Sequence, residues 1–377
     1  MKSVISLLVL FLLTQSSCIY SQDYKFTHAQ FSENYKKENN TKYSIEIPQV
    51  QELVHIIFAI TGKGITDTDM IDQETLYYQQ VIEYFKGFKN EKIVQIFDKK
   101  LKGSLFMNGA GAYSRLKMDA CGFYFEGDKI LKDTNYSQLN WDNKNYIVEY
   151  VDELEDFAKK SNFLAFFSQN KAYYDELLKK SEEQFQIKKQ WQWLEARFPY
   201  RYNHYRITFS PLVNGSHSTN RFQSEDFRQT VMFVCAPFEM KNVNPKLPEA
   251  ILQRIVFTEI DHNYVNPVTD KFKTQINQIF NNRQKWASGE VAKSYGSPYS
   301  VFNEYMTWAV FSLYASDTFE EAVFVELNRR NENQMTKNRG FNKFKEFNQK
   351  LLELYQTNKP KSIEELYQPM MDWCKTQ

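Results

Sequence analysis

The chain is poor in the residues that punctuate turns. It has 12 glycines and 10 prolines in 377 residues, which argues against a turn-rich β sandwich or barrel and for long helices. Cysteine is scarce, four in all, with no C-x-x-C knuckle; this excludes a disulfide-dense scaffold and a cysteine-rich zinc module. Neither sign of charge is in excess, with 47 Lys+Arg against 46 Asp+Glu, so nothing marks nucleic acid or an anionic surface as a partner. No apolar run reaches the roughly 20 residues that span a bilayer, and no transmembrane segment is expected.

The first residues carry a distinct signal. Met1-Lys2-Ser3 precedes an apolar stretch, Val4–Leu13, and small residues follow up to Cys18. This is the pattern of a signal peptide, residues 1–21, cut near Ser21-Gln22. The mature protein is then expected to be exported, periplasmic or extracellular. A lipid anchor on Cys18 is the weaker alternative, because Gln15 is a poor residue three positions before it. Losing the leader removes Lys2 and no acid, which leaves the charge balanced. Cys121, Cys235 and Cys374 remain, an odd number that leaves at least one free thiol.

What the chain has in quantity is aromatic side chains, 31 Phe, 24 Tyr and 6 Trp, enough for a large core. Residues 22–44 are polar and read as an exposed lead-in, and Tyr43–Pro48 alternates as one short strand. A helical region, residues 45–200, follows, with apolar faces such as Val50, Leu53, Val54, Ile57 and Phe58. Residues 201–377 begin with the two best strands, His204–Ser210 and Gln229–Cys235, and the stretch between them reads as a hairpin loop around Asn214-Gly215. Helical patterns return from Pro248 to the end, with Asn266-Pro267 expected to stop the first of them. The fold class is therefore α+β and helix-rich, with a small, mostly antiparallel sheet against the helix that begins near Pro248.

That helix carries Thr258-Glu259-Ile260-Asp261-His262. In the zinc-peptidase motif H-E-x-x-H, two histidines four apart share one helical face and reach one zinc ion, while the glutamate polarises a metal-bound water. Here Glu259 stands in the place of the general base and His262 in that of the second ligand, but Thr258 replaces the first histidine. A neutral hydroxyl is a poor zinc ligand beside imidazole. One helix later Glu304 is the only acid in the apolar stretch Tyr299–Tyr314, and a buried carboxylate must find a partner.

Tyr205–Leu212, Val231–Pro237, Phe257–Pro267 and Asn303–Tyr305 together resemble a secreted bacterial family of unknown function whose motif is H-E-F-x-H-x-F-V-N-P with a later N-E. The resemblance covers about residues 45–350 and implies a zincin-like fold of the glutamate type. It implies Glu259 as catalytic base, with His262 and Glu304 as metal ligands. Thr258 departs from the pattern and leaves three outcomes open. His55, His204 or His217 can supply the missing ligand; Glu259 and His262 can both ligate beside Glu304; or the site is a metal-free, hydrogen-bonded relic. Asp261 lies at the margin of the motif face, and Tyr295, Tyr299 and Tyr305 are candidate oxyanion donors whose commoner role is packing. Two functions follow as expectations. One is a secreted zincin-like metallopeptidase with an altered zinc site that hydrolyses peptide bonds. The other is an inactive zincin-like protein that binds a peptide or a cell-envelope partner.

Overall fold

The apolar stripe that opens the helical region winds into the helix Gln49–Ile60, buried along nearly its whole length. It ends because Gly64 packs onto it: a Cβ there would lie 1.9 Å from the Phe58 carbonyl oxygen, and Thr61 Oγ1 accepts from Gly64 N at 2.9 Å to start the next turn. The computed structural model describes residues 26–102, 110–240 and 243–377. The expected signal peptide and Cys18 lie outside the described residues.

The described residues form a helix-rich α+β fold, as the sequence implied. Seven strands are present: β1 (Thr27–His28), β2 (Lys42–Glu46), β3 (Phe123–Glu126), β4 (Lys129–Lys132), β5 (His204–Ser210), β6 (Ser218–Ser224) and β7 (Phe227–Cys235). β3 and β4 make a small antiparallel hairpin. The other five form one sheet in the order β1-β6-β7-β5-β2.

That sheet corrects three readings. It is mixed rather than mostly antiparallel, since only β6 and β7 run antiparallel while β1–β6, β7–β5 and β5–β2 are parallel. The stretch between β5 and β7 is not a loop, because β6 lies within it. Its alternating burial, with Ser218, Asn220, Phe222 and Ser224 inward, is a strand pattern written mostly in polar residues, and so it carries no apolar signal. Residues 22–44 are not simply an exposed lead-in either. β1 and β2 supply both edges of the sheet, and Ala29 and Phe31 are buried.

Two clusters of buried apolar side chains flank the sheet. The larger gathers residues from Ile47 to Cys374, and the smaller joins Phe31, Tyr136, Phe222 and Phe227. Burying each large apolar side chain contributes about 1.5–3 kcal/mol. Cys121, Cys235 and Cys374 are all buried and free. No helix among the described residues is long and apolar enough to cross a membrane.

The helix Lys246–Ile260 packs on β6 and β7 and is followed, after one residue, by the helix His262–Lys271. Pro267 does not stop this second helix but lies inside it. A proline cannot donate to the carbonyl four residues back; here that carbonyl, of Asn263, accepts from Tyr202 Oη at 3.3 Å instead. The helix Pro298–Thr318 crosses both segments. Its start is set by a capping box in which Ser297 Oγ accepts from Ser300 N at 3.0 Å.

Candidate functional site

Glu259, His262 and Glu304 all face inward and are nearly inaccessible, at 2%, 8% and 2% exposure. The helical spacing of the motif therefore brings its residues into one buried polar region, together with groups that carry no motif: Lys117 from the helix Ala110–Ala120, His217 just before β6, Arg254 one turn ahead of Thr258, and Arg339 after a π-helical turn at Gln334–Asn338.

Glu304 already has its cation. Its Oε1 lies 2.7 Å from Arg339 Nη2 and accepts from Trp308 Nε1 at 2.8 Å. Arg339 is held by the backbone on its far side. Gly340, at φ +74°, docks so closely that a Cβ would stand 1.6 Å from the Ser288 carbonyl oxygen, and Ser288 N donates to Gly340 O at 2.8 Å. Its guanidinium also donates to the Tyr295 hydroxyl. This gives Tyr295 a partner within the fold rather than a place against a substrate.

Glu259 is different. It makes no hydrogen bond to a described residue, and Oε2 is buried without one. Burial pushes its carboxyl up to about 7; the Glu304 charge adds to the rise, while His262, Lys117 and Arg339 oppose it. Lys117 is buried in turn, and burial brings its ammonium down to about 8 against the pull of Glu259. Lys117 donates to the Ser216 carbonyl.

His262 is oriented by two amides. Asn266 Oδ1 accepts from Asn303 Nδ2 at 2.7 Å and lies 3.1 Å from His262 Nδ1. An amide oxygen only accepts, so it is Nδ1 that carries a hydrogen toward Asn266. Tyr299 reaches the Asn266 backbone oxygen, at 3.5 Å, one link removed from His262, and its hydroxyl also bonds Asp270. Thr258 Oγ1 turns back along its own helix to donate to Ile255 O at 3.1 Å. Asp261 is fully buried at the junction of the two helices, where its backbone oxygen accepts from Tyr264 N at 2.8 Å and Val265 N at 2.7 Å.

Of the three spare histidines, two are engaged elsewhere. His55 Nδ1 bonds Gln51 O at 2.9 Å, and His204 Nδ1 lies 2.6 Å from Gln229 Nε2. His217 is 1% exposed, and neither ring nitrogen has a partner in hydrogen-bond geometry. Burial, then the charges of Lys117 and Arg254, push it down to about 3, with the Asn214 backbone opposing slightly. Its imidazole is neutral at any ordinary pH.

These positions bear on the fit of a zinc ion. Zinc needs three or four converging nitrogen, sulfur or oxygen donors. Among the described residues no group of three or more His, Cys, Asp and Glu side chains is placed to hold a metal ion. Glu259 faces the charges of Lys117 and Arg339, and Glu304 spends its Oε1 on a guanidinium and an indole. A dication would have to displace those contacts, so the donor set does not fit zinc in this arrangement.

Sequence reasoning missed Lys117, Arg254 and Arg339. Arg254 had a visible signal, as the lone cation in the apolar run Ile251–Phe257. Arg339 had none, because only the tertiary path places it beside Glu304. No family model matches the chain, and no curated protein and no solved structure matches it.

Proposed function

We propose that this protein is an exported, zincin-like binding protein that is catalytically inactive and takes a peptide or a cell-envelope ligand at the old motif. The observation that carries this reading is the Glu304–Arg339 pair, 2.7 Å apart and buried on both sides. A metal site keeps its carboxylates for the metal and orients them with neutral donors. Here a side-chain cation neutralises the carboxylate, and Thr258 offers no imidazole.

A second reading, a zinc-dependent peptidase with an altered site, draws on the two unbonded nitrogens of His217 and on Glu259, whose carboxyl near 7 suits a general base. One experiment separates the two. Metal is measured by mass spectrometry on mature protein purified without chelator or histidine tag, beside a His262→Ala/Glu304→Ala control. Peptide hydrolysis by wild type and Glu259→Gln is measured in parallel. The expected result is no stoichiometric metal and no turnover. One zinc per chain, lost in the control, with hydrolysis abolished by Glu259→Gln, would establish the peptidase instead.

A further inference from the structure

Arg254 is 5% exposed; among the described residues it has no hydrogen bond or ion pair, and its Nη1 is buried without a partner. A guanidinium carries five N–H donors in a rigid fork and stays charged under ordinary conditions. What it has is an aromatic face: its Cζ lies 4.6 Å from the centroid of the Trp308 indole. The same indole carries a second guanidinium, with Arg339 Cζ at 4.7 Å. Arg339 is paired with Glu304, but no carboxylate of a described residue pairs with Arg254. Glu259 does not serve, since it lies five residues further along one helix and so about 140° round it. A buried, unpaired charge is among the costliest features a fold can carry.

The neighbours add to the imbalance in one direction. Arg254 feels the positive charge of Arg339, and His217 feels those of Lys117 and Arg254. His217 has two unbonded nitrogens, and Lys117 has a carbonyl but no carboxylate partner within hydrogen-bond reach. Among the described residues, Arg254 therefore has neither an anion nor a hydrogen-bond acceptor in contact with it.

We propose that Arg254, buried and stacked on Trp308, is the anchor for a monoanionic carboxylate of the ligand. The proposal rests on the binding reading above and names the chemistry of what is bound. A carboxylate matches the guanidinium fork with two parallel hydrogen bonds. A phosphate dianion matches less well, because Glu259 and Glu304 share the site and would repel its second charge. The carboxylate has two possible sources, the C-terminus of a peptide or a small free organic acid.

The test uses the full mature chain and thermal unfolding. Sodium hippurate, which presents the carboxylate next to an amide as a peptide C-terminus does, is compared with its uncharged amide, sodium acetate, sodium phosphate and sodium chloride at matched ionic strength. Hippurate at about ten times its Kd should raise Tm by about 2 °C, and the amide and chloride should not. An equal response to acetate would assign a free acid as source, whereas hippurate alone would assign a peptide terminus. Arg254→Met should abolish the response while Tm without ligand stays equal or rises, because an unpaired charge has been removed. Arg254→Lys, which keeps the charge and loses the fork, serves if the methionine variant does not fold, and should cut the response at least tenfold in Kd. A response to phosphate alone, no carboxylate-specific response, or full response in the variants would overturn the proposal. Finding zinc and Glu259-dependent hydrolysis would instead overturn the binding reading beneath it; absence of both, with no carboxylate response, would sink only the anchor.

Discussion

Arg339 Nη2 and Glu304 Oε1 are 2.7 Å apart, and their side chains are 0% and 3% exposed. The pair links the end of a π-helical turn to the middle of the helix Pro298–Thr318, and Trp308 bonds the same carboxylate oxygen from one turn further along. Removing one partner from such a pair strands the other charge in the interior. Arg339→Met is therefore expected to destabilise the fold by about 3–5 kcal/mol, and Arg339→Met/Glu304→Leu to recover most of that loss. Urea unfolding of the two single variants and the double variant completes the cycle. Additive losses would show that the two residues are not coupled.

Gly340 holds Arg339 in place by close approach. A methyl group there meets the Ser288 carbonyl oxygen at 1.6 Å, and the residue sits at φ +74°. Gly340→Ala should cost about 2–4 kcal/mol through backbone strain and displacement of the 288 segment. It should also shift the near-ultraviolet dichroism of the Trp308 environment. Wild-type stability in this variant would mean that the 288 segment yields freely.

A pH effect follows from Glu52, fully buried in the helix Gln49–Ile60, where Tyr77 Oη donates to it at 2.6 Å. Burial raises its carboxyl from 4.5 to about 7 against the Tyr77 and Ser210 hydrogen bonds. For an acid with a raised folded pKa, the full stability is present below pH 4.5 and is lost as pH rises through 7. Glu52→Gln mimics the protonated form, so it should gain about 3 kcal/mol over wild type between pH 4.5 and pH 7.5. Parallel urea curves at the two pH values measure the gain. An unchanged difference would place the ionised form in the native state without penalty.

His217 has the opposite sign. Its folded pKa, about 3, lies below the ordinary 6.5, so its neutral form contributes stability that is present above pH 6.5 and is lost as pH falls toward 3. His217→Leu cannot take up that proton, and its acid-unfolding midpoint is expected at lower pH than in wild type. Following tryptophan fluorescence from pH 7 to pH 2 reads both midpoints. Identical midpoints would show that His217 is already protonated in the fold.

Much of the helical layout was legible because helix formation is local. The apolar stripe of Val50, Leu53, Val54 and Ile57 needs no distant partner to reveal its period, and the structure has a helix at Gln49–Ile60. β5 was recovered residue for residue, and β7 within two, because both are rich in β-branched and aromatic side chains. β6 escaped because Ser218-Thr219-Asn220-Arg221 has no apolar alternation to read. The edge strand β1 escaped because two residues carry no period at all.

The motif itself shows the same division. The spacing of Thr258, Glu259 and His262 predicted one shared helix; the structure puts Thr258 and Glu259 at the end of the helix Lys246–Ile260 and His262 at the start of the next, one residue later, and all three are still buried together. The sequence likewise determined that Glu304 would be buried and in need of a partner. Which partner it found was decided by the fold: Arg339 lies 35 residues further along the chain and reaches Glu304 only because Gly340 packs against Ser288. Tyr43 and Tyr205 became neighbours in parallel strands in the same way. Pairings of this kind depend on how distant segments pack together, and no local pattern of side chains encodes them.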